Sequence, residues 1–554
     1  MLEGCTPYPA DYSERYVREG YWLSKTLGDL PGDAAQAWPS RIAVSDSSRK
    51  VSYAELHALS NRLALHLLDR GFQPRDIVLL QIPNFWEFSV VFFALQKIGV
   101  IPVMCLPPHR HTELIYFARL TGAAGYFAAP EYRGFDYLAM AREIQAEVPS
   151  LQYVVALGDG SQTGVCYLQP WLEEPIETKY APGVLAQYRP DPFDVGVFLL
   201  SGGTTGIPKL IPRTHADYLY NARQCAEVLR WDSSVVFPVV IPAAHNFPLS
   251  APGILGAAMV GASVAMCLSP EPEQVFQVIE REKGTCLAVS PALLIALLNS
   301  PHRSKYDLSS LRLIGAGGQK MLPELADRTW AAWSQATPVQ IFGMAEGLIN
   351  MTRLDDPPEV IRETQGRPIS PADEIKIVDE NGNEVSPGEV GELITRGPYT
   401  IRGYYKAEEH NRTAFTPDGF YRTGDMVRLH PSGNLVVEGR NKDMINRGGE
   451  KISAEEIENL ILSHDGVHMV AVVAMPDPVL GERSCAFVIP RPGRTLTLEE
   501  LSTFLVGKKI AKFKLPERLE LVQSFPLTGV GKVSKKDLRE QIANKLKAEG
   551  KTSA

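Results

Sequence analysis

Leu56, Leu59, Leu63 and Leu67 recur at helical spacing through residues 53–69, and Gly71 closes the run. A short continuous apolar stretch at 76–82 reads as a buried strand, 85–98 as a helix and 99–104 as a second strand. This alternation predicts a parallel sheet covered by helices. The same rhythm returns at 235–241, 263–267 and 311–315. Beyond about residue 370 the texture changes. Short strands at 374–378, 391–396, 427–429 and 434–438 are separated by turns at Glu380-Asn381-Gly382 and Pro431-Ser432-Gly433. They predict a small antiparallel, barrel-like unit. A third texture begins near Gly439-Arg440: a helix at 454–463 with Ser453 as cap and Glu456 as its capping-box partner, strands at 467–475 and 484–489, and a helix at 498–506. The expected fold class is α/β. A large N-terminal domain, 1–439, contains parallel-sheet α/β subdomains plus the small β-barrel-like unit, and an α+β C-terminal domain fills 440–554. Residues 158–190 read as irregular loop.

A chain of 554 residues exceeds what one core serves, which agrees with at least two domains. Its 45% hydrophobic and 22% charged residues are ordinary for a globular protein. The net charge of −8, without a dense Lys/Arg cluster, argues against nucleic acid as a partner. An acidic chain that binds a polyphosphate must do so with local cations, which draws attention to Lys209, Arg440 and Lys532. Seven scattered cysteines with no Cys-x-x-Cys suggest neither a disulfide framework nor a zinc site, and fit a reducing cytoplasm. Residues 1–5 lack the basic start and apolar core of a signal peptide. No apolar run is long enough to span a membrane.

The densest chemistry is Ser201-Gly202-Gly203-Thr204-Thr205-Gly206-Ile207-Pro208-Lys209, directly after the apolar run 195–200. A strand emptying into such a loop offers backbone N–H groups, hydroxyls and one cation to a phosphate. It is not a Walker A loop. Ile207 and Pro208 separate Gly206 from Lys209, and Leu210 stands where a metal-binding hydroxyl would be needed. Four further constellations follow. Gln340-Ile341-Phe342-Gly343-Met344-Ala345-Glu346 ends a strand in a glycine turn and a carboxylate able to hold Mg²⁺. Tyr421-Arg422-Thr423-Gly424-Asp425 offers an acid suited to ribose hydroxyls. Gly439-Arg440-Asn441-Lys442-Asp443 supplies cations. Pro526-Leu527-Thr528-Gly529-Val530-Gly531-Lys532 sets a lysine among glycines.

In this order the strings resemble the adenylate-forming superfamily of acyl-CoA synthetases, luciferases and peptide-synthetase adenylation domains. Matching motifs run from about residue 50 to 535. Three segments, Ala244-His245-Asn246-Phe247-Pro248-Leu249-Ser250, Gly343–Asn350 and Asn446-Arg447-Gly448-Gly449-Glu450-Lys451-Ile452, look closest to the stand-alone aryl-acid adenylating enzymes. Those belong to siderophore and nonribosomal peptide pathways. The resemblance implies that an aryl acid of the 2,3-dihydroxybenzoate or salicylate type is activated with Mg·ATP to aryl-AMP. The aryl group then passes to the phosphopantetheine thiol of an aryl carrier protein, coenzyme A being the alternative acceptor. It implies catalytic roles for Lys532 and His245, the latter near the α-phosphate, and metal binding by Glu346. The nucleotide falls to Ser201, Gly202, Gly203, Thr204, Thr205, Gly206, Lys209, Gly317, Gly318, Asp425 and Arg440. The acid pocket falls to Asn246, Phe247, Ser250, Ala251, Ile341, Gly343 and Ile349. Asn246 would meet the acid's carboxylate or ortho-hydroxyl, and Phe247 the ring. Lys442 takes the place of the hinge about which a mobile C-terminal domain turns, and Gly448-Gly449 would let the pantetheine arm pass. Two pocket positions depart from the dihydroxybenzoate pattern. Ala251 replaces the usual Ser or Cys, and Ile349 the usual Val, so the ring preference stays open. Gln319 is a further departure beside the adenine site.

Overall fold

The computed structural model describes residues 1–554 apart from 202–207, 441–442, 448–449, 509, 529–531 and 551–554, with backbone alone at 440, 446 and 450–451. The helix at Tyr53–Asp69 forms with the predicted bounds. Ser52 accepts from the Glu55 N–H at 3.2 Å, and Glu55 reaches back to the Ser52 N–H at 2.8 Å. Ile77–Gln81 and Ile101–Met104 then pair in parallel, with Glu87–Lys97 between them. Their strands are buried throughout, as continuous apolar runs in a two-sided parallel sheet must be.

Three sheets carry the N-terminal part. The first has seven strands in the order 210–214, 195–200, 101–104, 77–81, 125–128, 153–156, 165–167, all parallel except the first. The second joins 236–239, 263–266, 42–45 and 50–52. The third joins 286–289, 313–317, 337–344, 347–351 and 367–368. One extended apolar core unites much of them, and a second lies on the other face of the seven-stranded sheet. The stretch 158–190 is more ordered than its composition suggests. Val165–Tyr167 adds the last strand of the first sheet, and Leu168–Glu173 is helical with Trp171 buried.

The antiparallel unit is a four-stranded meander of Glu374–Val378, Gly391–Arg396, Tyr421–Leu429 and Leu435–Arg440. Its third strand begins six residues earlier than the pattern suggested and absorbs the Tyr421–Asp425 motif, which alternation in burial explains. The last sheet uses 450–453, 444–447, 481–490, 467–477 and 518–521, all beyond residue 443, over two apolar clusters of its own. Ser453 caps Ala454–Leu462 as expected. Glu456 does not complete a capping box, because its carboxylate is drawn to the Lys514 ammonium at 2.6 Å, a charge-assisted bond stronger than one to an amide.

Candidate functional site

The phosphate-loop candidate sits on a hairpin. Val195–Leu200 and Leu210–Thr214 are antiparallel, and the neck is closed twice: the Ser201 N–H donates to the Lys209 carbonyl at 3.0 Å and the Lys209 N–H to Ser201 Oγ at 2.9 Å. Gly202–Gly206 lie outside the described residues. The helix His215–Val228 starts only after the second strand, so the loop does not run directly into a helix N-terminus as a Walker loop does. Lys209 Nζ stands 5.7 Å from the centre of the Tyr404 ring.

Tyr404 leads to the metal candidate. Its hydroxyl donates to Glu346 Oε1 at 2.8 Å and meets the Tyr421 hydroxyl at 3.0 Å, while the Glu346 carbonyl accepts from the Ile401 N–H. Glu346 is thus buried and pinned in the turn between Thr337–Met344 and Gly347–Met351. Among the described residues no cluster of three His, Cys, Asp or Glu forms a metal cage. One fixed carboxylate is the donor set for an ion that draws its other ligands from phosphates and water, as Mg²⁺ does. Asp425 is buried on its strand, its N–H bound to Thr423 Oγ1, and the backbone of Arg440 lies opposite it in the ladder.

The acid-pocket candidates converge from three elements. His245 caps the short helix Asn246–Ser250, its Nδ1 accepting from the Phe247 N–H at 3.2 Å. Asn246 Oδ1 accepts from the Tyr218 hydroxyl at 2.8 Å, which fixes the amide by its oxygen end. Phe247 packs its ring edge on Gly317, where a Cβ would lie 3.1 Å from Cε1 and Cζ. Gly343 pairs with Ile349 across the ladder, and a Cβ there would meet Ile349 Cγ1 at 3.0 Å. Ile341 reaches toward Gly315 and, like Ala251 and Ile349, is buried. Ser250 lies behind this wall, wholly buried; its hydroxyl accepts from Asn221 Nδ2 at 3.0 Å and donates to Asn246 Oδ1 at 3.5 Å.

Lys532 arrives from the C-terminal unit. Leu527 and Val533 bridge across its turn, and Thr528 binds it through two backbone contacts. Its side chain rests on Gly318, where an added Cβ would lie 2.5 Å from Cε and 2.8 Å from Nζ. Gly318 has φ +84°, so the turn needs glycine for its backbone as well as for the space. Burial, with the Lys532 cation nearby, pushes the His245 imidazole down to about 3. The ring is therefore neutral at ordinary pH. Lys442 and Gly448-Gly449 lie outside the described residues.

A sequence model of the AMP-binding enzyme family matches residues 32–405, and one of the AMP-binding enzyme C-terminal domain matches 456–532. The chain belongs to the AMP-binding enzyme family. It is 48% identical to a 2,3-dihydroxybenzoate-AMP ligase of Bacillus subtilis, over 99% of both chains. It is 47% identical to a salicylyl-CoA synthase / salicylate adenylyltransferase of a Streptomyces species, over 98% of both. The apo structure of MbtA from Mycobacterium smegmatis superposes with a TM-score of 0.74 at 43% identity, covering 97% of this chain and 99% of that one.

Within this AMP-binding enzyme the motifs missed the residues that hold the site from behind. Tyr218, Tyr404 and Tyr399 belong to no signature string. Tyr399 accepts from the Ile349 N–H at 3.2 Å and donates to Asp373 Oδ2 at 2.6 Å beneath the acid pocket. Arg213 and Asp217 left a local trace, opposite charges four residues apart where the strand Leu210–Thr214 passes into the helix His215–Val228.

Proposed function

We propose that the chain activates an aromatic carboxylic acid of the 2,3-dihydroxybenzoate or salicylate type as its adenylate and then transfers it to an external thiol. In the first half-reaction a carboxylate oxygen attacks the α-phosphorus of ATP, the bond to the diphosphate breaks, and pyrophosphate leaves. In the second a thiolate attacks the acyl carbon and AMP leaves. The placement of Lys532 carries the reading. A lysine from one unit is seated on Gly318 of the other, near a neutral His245, at the pocket of Asn246 and Phe247. A cation there offsets the repulsion between the incoming carboxylate and the α-phosphate and stabilises charge on the transition state.

Asn246 would orient the acid through its amide, with Phe247, Ile341, Gly343, Ala251 and Ile349 around the ring and Ser250 supporting from behind. Glycines at 317 and 343 let Phe247 and Ile349 pack close against the backbone of this wall. Asp425 would hold the ribose, Arg440 the ribose or phosphate, and the 201–209 hairpin the departing diphosphate. Glu346 would hold Mg²⁺, which when bound neutralises phosphate charge. We place the unit boundary at 439/440, at the last residue of the strand Leu435–Arg440 that closes one sheet and ahead of Met444–Arg447, which starts the next. Lys442 would be the hinge between an N-terminal domain and a mobile C-terminal one, and Gly448-Gly449 the pantetheine passage.

The acceptor would be the phosphopantetheine of an aryl carrier protein in siderophore or nonribosomal peptide assembly. The chain's own cysteines suit that role poorly: five are buried, and burial pushes Cys5 up to about 12 and Cys267 to about 11. Seven unpaired cysteines suit a cytoplasmic enzyme, and no helix among the described residues is long and apolar enough to cross a membrane. Coenzyme A is the second reading, favoured by the name of the Streptomyces relative. ATP–pyrophosphate exchange over salicylate, 2,3-dihydroxybenzoate, benzoate, anthranilate and hydroxypicolinate tests the first half-reaction. The hydroxybenzoates are expected to drive exchange most strongly, and exchange driven only by aliphatic or amino acids would refute the reading. Thioester formation with holo-carrier against coenzyme A then decides the acceptor.

A further inference from the structure

Arg213 lies on the strand that leaves the phosphate hairpin, and its side chain is wholly buried. Its guanidinium works in three directions. Nε donates to Asp217 Oδ1 at 2.8 Å, Nη1 donates to the Ala345 carbonyl at 3.0 Å, and the plane stands 4.7 Å above the Tyr218 ring. Asp217 is in turn fixed by the Thr214 N–H at 2.8 Å and hydroxyl at 3.0 Å, so the ion pair is tied to the cap of the following helix. Each of the other two contacts ends one residue away from the site. Ala345 precedes Glu346 in the turn that joins the strands of Gly343 and Ile349. Tyr218 donates its hydroxyl to Asn246.

Filling this space does not require a charge. A buried ion pair is commonly no more stabilising than apolar side chains of the same volume. The three directions do require a planar, multi-donor group, which arginine has and lysine lacks. We infer that Arg213 is a positioning residue for adenylation: it fixes Asn246, through Tyr218, and Glu346, through the Ala345 carbonyl, in one frame, and so aligns the acid's carboxylate with the metal-bound phosphates. The inference rests on the proposed two-substrate reaction.

The test uses the full-length Tyr218→Phe and Arg213→Lys variants, with the apparent KM of the acid taken from pyrophosphate exchange and Mg·ATP affinity measured separately by calorimetry. Tyr218→Phe keeps the ring under the guanidinium and loses one hydroxyl. It is expected to raise the acid KM about tenfold, the scale of one hydrogen bond, and to leave the Mg·ATP affinity within about twofold. Arg213→Lys is expected to weaken both, each by roughly five- to tenfold, because both supports are lost. Combining the two changes should raise the acid KM by much less than the product of the single effects, since they act through one path. A fall in melting temperature with both constants unchanged would overturn the inference, as would full multiplicativity. If Arg213→Lys fails to fold, Tyr218→Phe decides alone: an unchanged acid KM, or equal losses for acid and nucleotide, counts against it. Should a non-aromatic acid drive exchange, the aryl reading falls while the same split, measured with that acid, still decides Arg213. If no acid drives exchange in the unaltered enzyme, both fall.

Discussion

At the acid end of the site, Asn246 is held by Tyr218, Tyr218 lies under Arg213, and Arg213 is paired with Asp217 and bonded to Ala345. Tyr218, Arg213 and Asp217 are buried and every link lies within one unit, so the geometry exists before any ligand enters. At the lysine end, Lys532 comes from the C-terminal unit, on a turn bridged by Leu527 and Val533, and its side chain lies against Gly318. On the proposed reading the difference is a division of labour: the pocket that would select the acid is built within one unit, while the cation that would complete the chemistry comes from the other. That fits a reaction whose second half needs the lysine withdrawn to admit a thiol.

The sharpest way to break this contrast is to spoil the delivery without touching Lys532. Gly318→Ala places a methyl inside the space of the lysine stem and strains a left-handed turn. Gly382→Ala is the control, with φ +86° and nothing within 4 Å. Both should lose about 1–2 kcal/mol of stability from the backbone. Only Gly318→Ala should also lower pyrophosphate exchange, by about tenfold or more, as misplacement by an ångström does. Equal exchange rates in the two variants would remove Gly318 as the seat.

A smaller effect sharpens the preorganised side. Asp373 is half-buried below the pocket, its Oδ1 shut off from solvent and its Oδ2 bound by the Tyr399 hydroxyl, and desolvation pushes its carboxyl up to about 8. The folded state therefore keeps a proton that the unfolded state releases above about 4. Its contribution to stability is present at low pH and is lost as pH rises from about 4 toward 8. Asp373→Asn should flatten that decline, with a gain relative to the unaltered enzyme of a few degrees in Tm at pH 8 over pH 5.5, the scale of about 1–2 kcal/mol in a large domain. A decline identical in both proteins would mean that Asp373 is ionised throughout or without influence.

What could be read from the sequence depended on how local each signal was. The helix at Tyr53–Asp69 carries its spacing and cap within one stretch, and was legible to the residue. The hairpin strands, Glu346, Asp425 and Lys532 stand in short strings whose residue types declare a phosphate, a cation or a sugar. The supports did not declare themselves, because their partners are far along the chain: Tyr404 lies 58 residues from Glu346, and Arg213 lies 132 from Ala345. A tyrosine inside an apolar helix reads as core until its hydroxyl is seen to reach Asn246. Glu456 failed as a box partner for the same reason, since Lys514 stands 58 residues away.

Delivery of Lys532 to a prebuilt acid pocket is tested most directly by separating the two half-reactions in Lys532→Ala. Salicylate- or dihydroxybenzoate-dependent pyrophosphate exchange should fall by ~10²–10³-fold, the scale for one preorganised electrostatic donor, while transfer from supplied aryl-AMP to the acceptor thiol stays within about twofold. Near-normal exchange in that variant, or equal losses in both half-reactions, would contradict the account.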